Sequence, residues 1–302
     1  MSDLSTTTRR APAAGTLVLV TGGTRGIGRI LASAFAGAGY AVALTGRDAA
    51  RAEQAATEIA AELATGVAGE ADARTGETVA QVPAGSAARV RGLALDVADA
   101  AAVQALPETL AGIEEGTGTR LGVVVNNAGL VGRTEGPPWE ADYDDIEAVI
   151  RTNVLGPFFV AKALAPVLMA HSAADGTART LIDLNSGSGA KGTPAYAAYS
   201  ASKAALFRLA DAVDHYGRAH GLRIFEMSPG VIRSDMTAGM PMHAHRGEGD
   251  WTDPADLTGL ALALASGRLD DYTGRYVRAG ADDLAALESA RPAEGERRLG
   301  LG

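Results

Sequence analysis

The chain has 302 residues, 47% of them hydrophobic, which is enough for one large α/β domain or two small ones and excludes wholesale disorder. Its formal net charge is −9 and no run of Lys or Arg stands out, which argues against nucleic acid and against an anionic membrane surface as partners. There is no cysteine, so disulfides and thiolate metal sites are excluded; the same composition suits a reducing cytoplasm, which is where the protein is expected to act.

Residues 1–14 carry the pair Arg9 and Arg10, but no small-residue cleavage site follows and the apolar run from Leu17 is too short to span a membrane. This segment is read as a disordered tail rather than an export signal. Short apolar runs then alternate with Ala-rich helical stretches. The strand candidates are Thr16–Thr21, Tyr40–Thr45, Arg89–Asp96, Leu121–Asn126, Arg179–Ser186, Leu222–Met227 and Arg275–Arg278. They are continuously apolar rather than alternating, which is the pattern of strands buried on both faces. The expected fold is therefore α/β, a doubly wound parallel sheet of Rossmann type with about seven strands and helices on both faces. One catalytic domain is placed at 15–290. Residues 65–88 are poor in large apolar side chains and are read as a surface insertion, because a second domain would need a core of its own. The stretch 291–302 is rich in Gly and charge and is read as a fraying tail.

The first segment that carries chemistry follows the first strand directly and opens a helix: Thr21, Gly22, Gly23, Thr24, Arg25, Gly26, Ile27, Gly28. Glycines there permit a tight turn and let the backbone approach a pyrophosphate, while the free N–H groups of the helix start supply the positive end of a dipole. The spacing is G-x-x-x-G-x-G rather than the commoner G-x-G-x-x-G, and a dinucleotide fits it. The end of the second strand bears on which one. An acid about twenty residues past the glycines would bind the ribose 2′-hydroxyl of NAD(H). Here the strand ends in Thr45, Gly46 and Arg47, and Arg25 adds a second cation from the glycine loop. Two guanidiniums suit a 2′-phosphate, since Arg–phosphate pairs are charge-assisted and can be bidentate, so NADP(H) is favoured over NAD(H).

Further along, Tyr199 precedes Lys203 by four residues, one helical turn, which brings phenol and ammonium to one helix face. A Tyr with its ordinary pKa of about 10 is almost wholly protonated at neutral pH, and a nearby cation lowers that value, making the phenol a usable acid or base. Ser186 lies thirteen residues upstream of Tyr199, at the end of a strand.

Together, the Thr21–Gly28 segment, the run Asn126, Asn127, Ala128, Gly129, then Asn153, Ser186, Tyr199 with Lys203, and Pro229 with Gly230 occur in the order and approximate spacing of the short-chain dehydrogenase/reductase family. Over roughly residues 16–278 the chain resembles the family's single-domain branch. The resemblance implies that Tyr199 exchanges a proton with the substrate oxygen, that Ser186 hydrogen-bonds that oxygen, and that Lys203 lowers the tyrosine pKa and holds the nicotinamide ribose. It implies that Asn153 holds a water leading from Lys203 to solvent. Asp96, with Val97 beside it, would contact the adenine, and Asn126, Ala128 and Gly129 would line the cofactor. Pro229, Gly230, Ile232, Ser234 and Met236 would meet the nicotinamide carboxamide, Ser234 standing where threonine is usual and keeping a hydroxyl. Residues 236–253 would form a lid, with Met236, Met240, Met242 and Trp251 either an adaptable apolar wall or packed on a neighbouring helix. His243 and His245 lack a paired acid and are read as loop histidines, with no metal expected.

The implied activity is interconversion of a ketone or aldehyde and an alcohol, in the reductive direction, on a small or medium organic molecule. A homodimer or homotetramer is implied, the dimer formed by the helices bearing Asn153 and Tyr199. The sequence departs from carrier-dependent ketoacyl reductases after its last strand, where Ala279 to Asp282 replace a V-D-G-G ending. The alternatives are a carrier-tethered ketoreductase, with Arg246 as thin support, an enoyl reductase, which usually has a longer Tyr-to-Lys spacing, and a catalytically silent NADP-sensing protein, which would tolerate loss of Tyr199 or Lys203.

Overall fold

The computed structural model describes residues 9–10, 13–65 and 89–300. Its strands are β1 (Arg9–Arg10), β2 (Thr16–Val20), β3 (Ala41–Gly46), β4 (Val90–Ala94), β5 (Arg120–Asn126), β6 (Thr177–Leu184), β7 (Leu222–Ser228) and β8 (Arg275–Arg278). The helices are α1 (Gly26–Gly37), α2 (Ala49–Ala64), α3 (Ala100–Gln104), α4 (Leu106–Thr117), α5 (Tyr143–Ile150), α6 (Gly156–Asp175), α7 (Gly187–Lys191), α8 (Ala197–Gly217), α9 (Asp235–Ala238), α10 (Pro254–Ser266) and α11 (Leu284–Ser289). The main sheet runs β4-β3-β2-β5-β6-β7-β8 with every pairing parallel. All seven expected strands are present, and the doubly wound arrangement is as expected.

Every residue of β2 is buried. Successive side chains leave a strand on opposite faces, so Leu17 and Leu19 join one core layer with Leu164 and Leu168 of α6, while Val18 and Val20 join the other with Phe35 of α1 and Leu264 of α10. A slip of one residue would exchange the two sets, both already filled, and this is what fixes the register. The order of connection reverses between β2, which continues to β3, and β5, which continues to β6. Beyond the carboxyl ends of these two neighbours the crossing loops part, leaving the crevice where such sheets bind ligands.

The chain ends differ from expectation. Arg9 and Arg10 run parallel to the start of β6, in register with Thr177 and Ala178, so the segment 1–14 is not tail throughout; residues 1–8 and 11–12 lie outside the described residues. The expected insertion at 65–88 also lies outside them, apart from Thr65 at the end of α2 and Arg89 beyond it. The stretch 291–302, expected to fray, is held as far as it is described. Arg297 pairs with Asp282 at 2.8 Å, and Arg298 pairs with Asp211 at 2.9 Å and Asp214 at 2.8 Å. Composition shows the charges of this stretch, but only the fold brings α8 to meet them.

Candidate active site

The glycine segment links β2 to α1 along one wall of a cleft of about 260 Å³. Gly22 has φ +65° and Gly26 φ +55°, the left-handed region that glycine alone enters freely. A Cβ at Gly28 would lie 2.3 Å from the Gly22 carbonyl oxygen, so the third glycine serves close packing of the loop on its own helix. The loop is tied to the segment after β5: the Asn127 side-chain amide donates to the carbonyls of Thr21 at 2.8 Å and Gly22 at 3.0 Å, and the Thr21 hydroxyl accepts from the N–H groups of Asn127 and Ala128.

Thr24, Arg25, Ile27 and Arg47 also line the cleft, as do Asp96, Val97, Ala128, Gly129, Pro229, Ser234 and Met236. Asp48, the first acid after β3, is used elsewhere: its carboxylate caps α2 by accepting from the Arg51 N–H at 2.9 Å. Arg25 forms an ion pair with Asp235 at 3.0 Å from the opposite wall, both side chains well exposed. Asp96 accepts from the Ala98 N–H at 2.9 Å, a turn bond that holds its side chain at the cleft edge. Ser234 caps α9 in a reciprocal arrangement with Thr237.

Three of the expected cofactor residues, Asn126, Gly230 and Ile232, do not line the cleft. Asn126 is buried and donates from its side-chain amide to Asp183 at 2.7 Å, so the cleft-facing member of the Asn pair is Asn127. The strand's two-residue alternation sends neighbouring side chains to opposite sides, and the sequence does not mark which asparagine is the last strand residue. The Ile232 side chain is buried in the core, its expected contact being through the backbone, and Gly230 packs against Thr252, a Cβ there meeting the Thr252 hydroxyl at 2.0 Å. Thr152, Leu95, Leu184 and Asn185 line the cleft and carried no sequence signal.

At the inner end, Ser186 follows β6 in extended conformation and caps α7, its hydroxyl accepting from the Ser188 N–H at 3.2 Å. The Tyr199 phenol on α8 faces the Ser186 side chain, whose hydroxyl favours the ionised phenol. One turn on, the Lys203 ammonium lies 5.7 Å from the centroid of the Tyr199 ring and donates to the Leu184 carbonyl at 2.5 Å. Burial pushes the Tyr199 pKa up, and the neighbouring Ser186 hydroxyl offsets this only in part. The expected lowering by Lys203 is not found: the ammonium is turned to the sheet, where Glu226 and Asp183 oppose its charge. Burial brings the Lys203 pKa down to about 8 in spite of those two carboxyl groups.

Asn153 sits in a π-helical turn, Arg151–Leu155, between α5 and α6. It is fully buried and clamps Leu130, accepting from its N–H at 2.8 Å and donating to its carbonyl at 2.7 Å, with a further bond to the Ser202 hydroxyl at 3.0 Å. The side chain thus holds the segment after β5 against α8.

Beyond β5, Glu135 accepts from the Tyr196 hydroxyl at 2.9 Å and from the Met242 N–H at 3.0 Å. The guanidiniums of Arg233 and Arg246 lie 5.2 and 5.9 Å from the centroid of the Trp251 ring, so this tryptophan packs against two cations of its own neighbourhood. The arrangement brings a protonated phenol, a hydroxyl and a buried cation to the end of a glycine-walled cleft.

The family model for short chain dehydrogenases matches residues 16–85 and 63–244. Sulfoacetaldehyde reductase 2 of Chromohalobacter salexigens is 31% identical over 225 residues, which is 73% of this chain and 74% of that one. The rhamnolipids biosynthesis 3-oxoacyl-[acyl-carrier-protein] reductase of Pseudomonas aeruginosa is 29% identical, covering 87% of this chain and 94% of its own. Among solved structures, a short chain dehydrogenase from Shigella flexneri complexed with NADP superposes with a TM-score of 0.70 at 26% identity, covering 90% of this chain and 99% of that one.

Proposed function

This chain belongs to the short chain dehydrogenase family, as an oxidoreductase of alcohol and carbonyl groups, and on that premise we propose that it is NADP(H)-dependent and reduces a small or medium ketone or aldehyde. The observation that carries the reading is the meeting of Tyr199 and Ser186 beside the glycine-walled cleft, with Lys203 one helical turn from the phenol and its Nζ 5.7 Å from the ring centroid. The glycine walls fit a dinucleotide: Gly22, Gly26 and Gly28 would hold the pyrophosphate, Arg47 and Arg25 the 2′-phosphate, Asp96 the adenine side, and Lys203 the nicotinamide ribose. When bound, the nicotinamide supplies the hydride.

The chain's own residues manage the proton. Because burial pushes its pKa up, the Tyr199 phenol keeps its proton at neutral pH and stands as the acid, which supports the reductive direction. The Ser186 hydroxyl, beside that phenol, is placed to hold the carbonyl oxygen that receives the proton. The Lys203 ammonium stands 5.7 Å from the centre of the phenol ring and is anchored on the Leu184 carbonyl, from where it would hold the nicotinamide ribose. The NADP complex of the Shigella flexneri protein supports the same cofactor here. Exposed Tyr143 on α5 and Phe158 on α6 support assembly as a homodimer through that side. The carrier-tethered alternative gains nothing from Arg246, whose guanidinium is engaged by His243 and by the Asp250 carbonyl.

Tyr199→Phe tests the reading. The variant removes the transferable proton and leaves the cleft walls, so NADPH-dependent ketone reduction is expected to fall by about 10²–10⁴-fold while NADPH binding, followed by fluorescence, stays close to wild type. Full turnover in this variant overturns the assignment.

A further inference from the structure

Beneath the catalytic side chains, four adjacent strands set polar residues in one row. Asn126 of β5 is in register with Asp183 of β6, Asp183 with Glu226 of β7, and Glu226 with Tyr276 of β8. Leu181 and Ile224, two positions upstream of the acids, belong to the core layer shared with α6 and α8, so the row faces the helix that carries Tyr199 and Lys203. Asp183 and Glu226 are each 0% exposed.

Two ionised carboxylates side by side and out of water repel strongly, and both do not stay charged. One oxygen of each has a donor: Asn126 bonds Asp183 Oδ1 at 2.7 Å, and Asn185 bonds Glu226 Oε2. The other oxygens, Asp183 Oδ2 and Glu226 Oε1, have no hydrogen-bond partner among the described residues, and the two side chains leave one face of the sheet at positions in register on neighbouring strands. Two acceptors can bond only through a proton held between them. Lys203 donates to the carbonyl of Leu184, the residue next to Asp183, and is itself buried.

We propose that Asp183 and Glu226 share one proton and act together as the single negative counter-ion of Lys203, positioning residues that keep its ammonium charged behind Tyr199. The proposal rests on the Tyr199–Lys203 chemistry above. A pair with one proton carries one negative charge, which balances one ammonium and leaves the buried cluster neutral. The titratable groups facing it are Tyr199 and Lys203 from α8 and Tyr276 from β8; Asn126 and Asn185 are uncharged. Burial pushes both carboxyl pKa values up, and Glu226 and Asp183 draw that of Lys203 back up against its own burial. Asn185 joins the pair to the reaction, since its side-chain carbonyl accepts from the Ser186 N–H at 2.7 Å.

Infrared spectroscopy of the resting protein at neutral pH is expected to show the carbonyl stretch of one buried carboxylic acid, shifted in D₂O. Asp183→Asn and Glu226→Gln should each abolish that band, because the remaining carboxyl group then ionises. Each single variant still carries one negative charge, so the alkaline limb of kcat/KM for NADPH-dependent ketone reduction should stay within about half a pH unit of wild type. The double variant Asp183→Asn/Glu226→Gln has no counter-ion. Its Lys203 then loses its proton at lower pH, and the alkaline limb should move down by about one unit or more. A wild-type protein without the band overturns the shared proton, whatever Tyr199→Phe does. A double variant that binds NADPH and keeps the wild-type limb overturns the counter-ion role. Should the double variant not fold, the single variants decide: a limb displaced by a full unit in either one contradicts the proposal, and an unmoved limb with the band lost supports it.

Discussion

Arg25 and Arg47 reach the same cleft with different attachments. Arg25 is paired with Asp235, but those side chains are 72% and 81% exposed, and such a pair is worth about 0–1 kcal/mol, so it yields readily to a phosphate. Arg47 makes no ion pair among the described residues. Arg47→Asp is therefore expected to lower the ratio of kcat/KM for NADPH over NADH by roughly 10–100-fold, because it removes a charge-assisted bond and adds repulsion toward a 2′-phosphate. Steady-state kinetics with both cofactors checks this, and an unchanged ratio removes Arg47 from the phosphate site. At this scale the sequence was informative where backbone chemistry demands one residue type, as at Gly22 and Gly26 with their positive φ. It was uninformative where orientation decides: Asn126 and Asn127 are the same residue, and only the end of β5 sends one to Asp183 and the other to the glycine loop.

The elements themselves were legible for the same kind of reason. Strands buried on both faces are written as apolar runs, and each of β2 to β8 begins and ends within two residues of its expected bounds. The C-terminal stretch was not legible, because its anchors lie far away in sequence. Asp214 on α8 accepts from Arg218, from the Thr273 hydroxyl at 2.7 Å and from Arg298 at 2.8 Å. Burial alone would raise its pKa, but these bonds more than offset it, and the folded-state value lies below the ordinary carboxylate range. Its stabilising effect is thus fully present above the unfolded-state pKa and is lost as pH falls through the folded-state one. Asp214→Asn, which leaves two guanidiniums short of their carboxylate, is expected to cost about 1–3 kcal/mol in urea unfolding at neutral pH. The difference from wild type should shrink in acid, and equal stability at neutral pH contradicts the anchoring role.

For the whole molecule, the cleft is made by two halves of the sheet: β2 and β3 bring the glycine loop and Arg47, and β5 to β7 bring Asn127, Ser186 and Ser234. A ligand that bridges them binds only the folded chain. NADPH at a hundred times its dissociation constant is expected to stabilise the fold by about 2.7 kcal/mol, and thermal unfolding should show NADPH raising Tm more than the same concentration of NADH. Equal shifts count against the cofactor preference.

One carboxylate sets how the loops that follow β5, β6 and β7 keep their places relative to one another. Three stretches far apart in sequence, around Glu135, Tyr196 and Met242, are gathered by a single carboxylate. Tyr196 holds a left-handed backbone, φ +54°, that a non-glycine residue adopts at a cost, so the knot is under tension. A change at residue 135 therefore releases two of these stretches from the third in one step, while Ser186 and Lys203 keep their separate attachments at the end of β6.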